Sequence, residues 1–346
     1  MAETLTATAL TLKDIAREAG VSLATVDRVL HNRPGVRPDT VRRVQAAIER
    51  HSFQPHVAAA ELARGRARRF AFVMPSGPNP FMQQIEAYLG EMSTWLSARR
   101  LSVETVRTDV FDPSVLAGSL EALSGDYDGV AMVALDHPSV RAAINDLVDA
   151  GTKVVTLVSD VPSSRRHHYV GIDNIAAGRT AGALVGRLAG QKSGKVAIVA
   201  GSQGLRDHAE RIFGFNQVMA SEFPGLSVLP VLEGRDEDDR SEQALARLLG
   251  KHGDIVGLYN VGAGTQGVAK ALSEAARDKV VFVGHDVTVL TRRLLLQGVM
   301  DAAISQNPGH EARAAVRVLL ALARGEPILR EQEKIRIDIV MRDNLP

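Results

Sequence analysis

The residues with the clearest chemical potential in this sequence are polar ones that follow short apolar runs. Asn79 and Phe81 lie in P-S-G-P-N-P-F, just after the run Phe70–Met74. Asp136 follows Gly129–Leu135, and Ser159 and Asp160 sit at the end of Lys153–Val158. Arg211 comes soon after Gly201-Ser202-Gln203-Gly204, which itself ends Val196–Ala200. Asn260 ends Val256–Tyr259, Asp286 closes the Gly284-His285-Asp286 segment, and Gln306 follows Ala302–Ile304. Each alone reads as an ordinary turn or helix cap. Together they offer carboxylates and amides that exchange hydrogen bonds with hydroxyls, and one guanidinium with rigid donors. That set suits a sugar, a polyol or a related neutral-to-anionic metabolite such as a sugar acid. Phe81 can stack on the apolar face of a sugar ring.

Catalytic sets are not evident. The chain has no cysteine, which removes disulfides, thiolate metal sites and cysteine nucleophiles. Gly201-Ser202-Gln203-Gly204 is neither a P-loop nor a dinucleotide fingerprint, and no G-x-S-x-G elbow occurs. His167 and His168 are adjacent, and chain neighbours seldom converge on one metal, so a solvated loop is expected there. His208 and His285 fall near the strand ends and read as hydrogen-bonding contacts or caps, since no activated nucleophile accompanies them. Neither an enzyme nor a metal or cofactor site is expected.

The elements that must position these residues follow from periodicity. The apolar runs above, with Val103–Val106, Val228–Leu232 and Val280–Val283, alternate with amphipathic stretches: Phe81–Ala98, Pro138–Ala150, Ala176–Leu188, Arg211–Glu222 and Glu242–Lys251. Strands buried on both faces and alternating with helices imply parallel sheets. So many units exceed one compact sheet. Two lobes are expected, with ligand in the crevice at the carboxyl ends of the strands.

The first fifth of the chain has a different character. Residues 11–69 hold 12 Lys/Arg against 6 Asp/Glu, although the whole chain is only +1. Such asymmetry points to a polyanion partner. Thr11 is an expected N-cap, and Leu12, Ile15, Ala16 and Ala19 make one apolar helical face. Gly20 suits a tight turn, Val21 plugs the gap, and Ser22 caps a second helix with Val26, Val29 and Leu30 inward. A third helix follows from Pro38, with Val41, Val44, Ala47 and Ile48 inward. Two short helices around a glycine turn form a helix-turn-helix pattern, whose second helix enters the major groove. Ser22, Leu23, Ala24, Thr25 and Arg28 would then meet DNA, Arg28 reading guanine O6 and N7. The next segment, Ser52–Arg69, pairs a short alanine-rich helix with a basic run. A helix this short orders only when bound, and Leu62 is placed to wedge between base pairs from the minor groove.

These residues resemble the headpiece and hinge of the lactose-repressor (LacI/GalR) family. The matching pattern is T-L-x-D-I-A-x-x-A-G-V-S-x-x-T-V-x-R-V-L from Thr11, then Thr40, Phe53, Pro55 and the stretch ending at Leu62 and Ala63. The resemblance implies that Leu23 and Ala24 set operator preference and that Leu62 is the intercalating hinge residue. Asp27 departs from the serine common in the family. It points away from phosphates, pairs with Arg28 or reads a cytosine amino group. From Arg69 to Val340 the chain resembles the periplasmic-binding-protein type 1 fold, in its ribose-binding-like form. The motifs are Asn79-Pro80-Phe81, G-I-D-N at Gly171–Asn174, E-R-x-x-G-F at Glu210–Phe215, Asn260, Gly284–Asp286 and Gln306-x-Pro308. By this resemblance Asn79, Phe81, Arg211, Asn260, Asp286 and Gln306 line a cleft between lobes, with crossings near Asp173, Gln306 and beyond Glu326. Ser159-Asp160 and Met82 depart from the ribose-binding pattern.

The fold class expected is therefore an all-α helix-turn-helix headpiece plus an α/β two-lobed body with parallel sheets. The domains expected are residues 11–54, a hinge at 55–69 and a ligand-binding domain at 70–346. The function expected is a DNA-binding transcriptional regulator, as a repressor, controlled by a small polar ligand. The alternative is a solute-binding protein for transport, which predicts an export signal; residues 1–10 contain neither a basic residue nor a long apolar run. A cytoplasmic chain with no membrane partner is expected. It is expected to form a homodimer on double-stranded operator DNA, since no leucine heptad follows Asn344.

Overall fold

The computed structural model describes residues 12–30, 34–50, 67–190, 193–277 and 279–346. The chain divides into two compact units between residues 66 and 67.

In the first unit, helices α1 (Leu12–Ala19), α2 (Leu23–Leu30) and α3 (Pro38–Arg50) enclose a small aliphatic core. Ile15, Ala16, Ala19, Val26, Val29, Val44 and Ala47 are buried in it. Gly20 takes φ +63°, a conformation that costs other L residues a Cβ clash. The reversal lets the Val21 N–H return to the Ala16 carbonyl at 3.0 Å. Ser22 then caps α2 through its side chain, which accepts from the Thr25 N–H at 3.2 Å.

In the second unit the first sheet holds β1 (Arg68–Pro75), β2 (Leu101–Thr108), β3 (Gly129–Met132), β4 (Lys153–Leu157) and β5 (His168–Val170). Their order is β2-β1-β3-β4-β5, every pair parallel. The second sheet holds β6 (Gly194–Ala200), β7 (Leu226–Val228), β8 (Leu232–Glu233), β9 (Ile255–Asn260), β10 (Val281–His285), β11 (Ala302–Ser305) and β12 (Asp338–Val340). Its order is β12-β11-β10-β9-β6-β7, with β8 also on β6. Among these strands β12 alone runs antiparallel to its neighbour. Period-two patterning explains the layers. Phe70, Phe72 and Met74 of β1 enter one core, whereas Ala71 and Val73 enter another on the opposite face.

Helices cover both faces, as parallel sheets require. They are α4 (Pro80–Glu91), α5 (Ser93–Ser97), α6 (Pro113–Glu121), α7 (Pro138–Asp149), α8 (Asn174–Ala189), α9 (Arg206–Glu222), α10 (Asp238–Lys251), α11 (Thr265–Glu274), α12 (Val289–Leu296), α13 (Pro308–Arg324) and α14 (Arg330–Glu333). The chain crosses between lobes three times. It leaves the first sheet at residues 171–173 and returns after β11 through Gln306 and Asn307. There α13 packs on β3, β4 and β5. It leaves again beyond α14 to add β12 to the second sheet.

Several elements differ from expectation. β5 and β12 are three residues each, too short for a period to register. The single strand expected over Val228–Leu232 splits into β7 and β8 around Pro230, which has no N–H for a ladder. His167 and His168 are half-buried rather than a solvated loop. His168 begins β5, and His167 Nδ1 accepts the Val154 N–H at 3.1 Å. Burial lowers the pKa of both rings, so both are neutral at pH 7.

Candidate ligand cavity and nucleic-acid interface

On the first unit, Ser22 just before α2, Leu23 and Ala24 in its first turn and Arg28 in its last turn are exposed, while Thr25 is half-buried. Leu23 is 44% exposed. Arg37, Arg42 and Arg43 are exposed nearby in sequence. Thr11 and Leu62 lie outside the described residues.

In the second unit a cavity lies between the carboxyl ends of the two sheets, about 810 Å³ including its open mouth. Asn79, Phe81, Arg211, Asp286 and Gln306 all line it. Asn79 is the N-cap of α4, where its Oδ1 accepts from the Phe81 and Met82 N–H groups and Pro80 takes the first helical position. The cap uses the amide oxygen and leaves Nδ2 to donate across the lobes to Asp236 at 3.2 Å.

Arg211 is the centre of a buried network. Its Nε donates to Asn174 Oδ1 at 2.8 Å, Nη1 to the Val261 carbonyl at 2.9 Å and Nη2 to Gln306 Oε1 at 2.8 Å. Gln306 Nε2 reaches both carboxylate oxygens of Asp286 at 3.2 Å. Asn174 donates to the Tyr169 hydroxyl at 3.1 Å. One guanidinium thereby ties the first crossing (Asn174) and the second (Gln306) to the cavity wall. Its place depends on close helix packing. A Cβ on Gly178 of α8 would lie 1.9 Å from the Arg211 carbonyl oxygen, and one on Gly214 of α9 2.2 Å from the Ile175 carbonyl oxygen.

The electrostatics follow from enclosure. Burial pushes the Asp286 carboxyl up to about 7, with Arg211 and Gln306 opposing. Burial also raises Asp236 against the pull of His208. His285 is held well below the usual imidazole range by burial, then by Arg211, so its ring is neutral. Its Nε2 meets the Tyr259 hydroxyl at 2.7 Å. Glu311 on α13 is fully buried with both carboxylate oxygens lacking a hydrogen-bond partner, and burial raises its pKa strongly.

Four residues expected at the cavity are placed elsewhere. Asp136 pairs with Arg141 at 2.9 Å. Asp160 is held by Arg166 and by the Thr156 hydroxyl at 2.6 Å. Ser159 is fully buried, because Val158 takes φ +64° and itself lines the cavity. Asn260 is also fully buried. Its Nδ2 donates to the Gly262 and Ala263 carbonyls and to the Thr265 hydroxyl, shaping the turn that carries the wall. The structure adds Asp207, Asp236, Phe111 and Thr291, and also brings in His208 and His285. Asp207 was not expected there because α9 starts at Arg206, not Arg211. The D-x-x-x-R spacing, one helical turn, was the available signal.

A helix-turn-helix unit joined to a two-lobed body with a polar interlobe cavity defines a ligand-responsive DNA-binding regulator. Residues 70–327 match the family described as "Periplasmic binding protein domain", and residues 11–56 match "Bacterial regulatory proteins, lacI family". The chain belongs to the periplasmic-binding-protein-domain family and carries a lacI-type regulatory domain ahead of it. Catabolite control protein A of Priestia megaterium is 24% identical over 284 residues, 81% of each chain. The HTH-type transcriptional regulator RegA of Clostridium saccharobutylicum is 39% identical over 77 residues, 22% of this chain and 23% of that one. Among solved structures, a solute-binding protein of Burkholderia graminis in complex with D-arabinose is 26% identical. It has a TM-score of 0.73 and covers 81% of this chain and 97% of that one. Among the described residues no helix is long and apolar enough to cross a membrane.

Proposed function

We propose that this chain is a cytoplasmic repressor whose cavity binds a small polyhydroxylated effector and whose homodimer holds two half-sites of an operator. The domains are residues 11–54, the hinge 55–69 and the effector domain 70–346. Leu23, Ala24 and Arg28 read bases, with Thr11, Ser22 and Thr25 positioning the helix and Leu62 wedging at the hinge. Two-fold symmetry of a dimer matches a near-palindromic site. The observation that carries the reading is the engagement of both crossings by Arg211. A ligand touching Arg211, Gln306 or Asp286 acts directly on the segments about which the lobes turn. It switches DNA affinity only as far as it binds the two lobe arrangements differently. D-arabinose in the Burkholderia neighbour supports a pentose-sized compound.

The test is a thermal-shift screen of sugars, polyols and sugar acids, followed by mobility shifts on DNA flanking the gene with and without the hit. Arg211→Ala is expected to abolish the ligand response and spare DNA binding. An unchanged response in Arg211→Ala, or no sequence-specific retardation on any flanking fragment, would overturn the reading.

A further inference from the structure

The charge inside the cavity is unbalanced. Four carboxylates, Asp207, Asp236, Asp238 and Asp286, line it with one guanidinium, Arg211, and the imidazoles of His208 and His285; Asp238 is exposed and accepts from the Gln266 and Gly267 N–H groups. That guanidinium already donates to Asn174, Val261 and Gln306. It also stands 3.8 Å from Asp207 Oδ2, an ion pair without a hydrogen bond. The His208 Nε2 is 3.7 Å from the same oxygen, again without a hydrogen bond. Asp207 is 3% exposed, and its Oδ1 is buried without a hydrogen-bond partner. Asp236 accepts from Asn79 Nδ2 and the Ala263 N–H, and Asp286 from the Gln306 amide. Both sets of donors are neutral. One guanidinium shared among these carboxylates leaves the enclosed lining short of positive charge, which a cationic ligand would supply. Burial raises the pKa values of Asp236 and Asp286 even against the pull of His208 and Arg211.

We propose that the effector is a polyhydroxylated compound bearing a protonated amine, received by Asp207, and that the same lining excludes sugar carboxylates and sugar phosphates. The proposal rests on the reading of this cavity as the effector site. An ammonium brings three donors and the missing charge, while hydroxyls take the remaining lone pairs of Asp236 and Asp286. An anion would add like-charge repulsion to groups that already lack compensation. The neutral-to-anionic range open to the sequence thereby moves to the neutral and cationic side, with the cation favoured.

The experiment uses the full chain at about pH 7 and matched trios of pentose and hexose skeletons: the amino-deoxy sugar, the parent sugar and the sugar acid. Calorimetric affinities are compared within each trio. For the skeleton bound most tightly, the amine is expected to bind about tenfold or more tighter than the parent sugar, and the acid not at all. Asp207→Asn, nearly isosteric, is expected to erase the difference between amine and parent sugar. An acid or neutral member binding as tightly as the amine overturns the proposal and leaves the effector-site reading intact. A second arm needs no ligand. A surplus carboxylate predicts that Asp207→Asn melts no lower than the parent chain; a drop in Tm identifies Asp207 as a structural partner of Arg211 and overturns the proposal. If no trio member binds, the polyol reading of the cavity fails, and this second arm still decides the charge proposal.

Discussion

Arg28 is exposed on the face of α2 that also presents Leu23 and Ala24. Arg28→Ala removes the guanidinium that would pair with a guanine edge, and it is expected to cost about 1–3 kcal/mol of specific DNA affinity. Mobility shifts on operator and on scrambled DNA check this, with the weakening confined to the operator. Two buried carboxyls make a second residue-scale prediction. The folded-state pKa values of Glu311 and Asp286 are raised by burial, so the folded chain binds protons that the unfolded chain has released. Their stability is fullest below the ordinary carboxylate range, about pH 4, and falls as pH rises through the folded values, for Asp286 about 7. Glu311→Gln is therefore expected to raise Tm, and the gain over the parent chain should grow with pH. A gain that shrinks with pH would contradict the assignment.

The cavity at the element scale depends on α8 and α9 lying close enough for Arg211 to reach Asn174. Gly178 permits that approach, since a methyl group there would strike main chain of α9 and not a movable side chain. Gly178→Ala is expected to cost about 1–3 kcal/mol by overpacking. It should also weaken effector binding by displacing the guanidinium. Urea unfolding and ligand titration check the two effects separately. The loop after β8 is a second positioning element. Arg235 and Asp236 take φ +52° and +61° in succession, a conformation that non-glycine residues adopt at a cost. The reversal sends Asp236 to Asn79 and Arg235 to Asp109 of the opposite lobe.

The whole body is held with its lobes in contact across the mouth of the cavity. Arg235 meets Asp109 at 3.0 Å and lies 5.3 Å from the centre of the Phe111 ring, and Gln84 donates to the Val287 carbonyl at 3.1 Å. Leu135 and Leu205 form a bridge from one lobe to the other. These interactions favour a closed arrangement. The Arg235–Asp109 pair is half-exposed, so its share is modest. Arg235→Ala is expected to lower effector affinity by up to about fivefold and to speed effector release. Stopped-flow dissociation measures the rate, and an unchanged rate would separate this pair from closure.

Much of this was legible from one-dimensional pattern. Gly20 between two apolar faces, Ser22 as a cap and the alternation of apolar runs with helices all depend on local conformational preference and period. Asn79, Phe81, Arg211, Asp286 and Gln306 were found by sitting at strand ends or near them, and that position does not depend on distant neighbours. Other positions depended on partners far away or on a single backbone turn. Asp136 and Asp160 sit at strand ends too, but Arg141 and Arg166 capture them, and φ at Val158 turns Ser159 inward. Asp207 and Asp236 became cavity residues through the start of α9 and the reversal at Arg235. The sequence determined which chemistry reaches the edges of the sheets. The tertiary structure decided which carboxylates end up inside the cavity, because burial and pairing are properties of neighbours that the chain brings together only by folding.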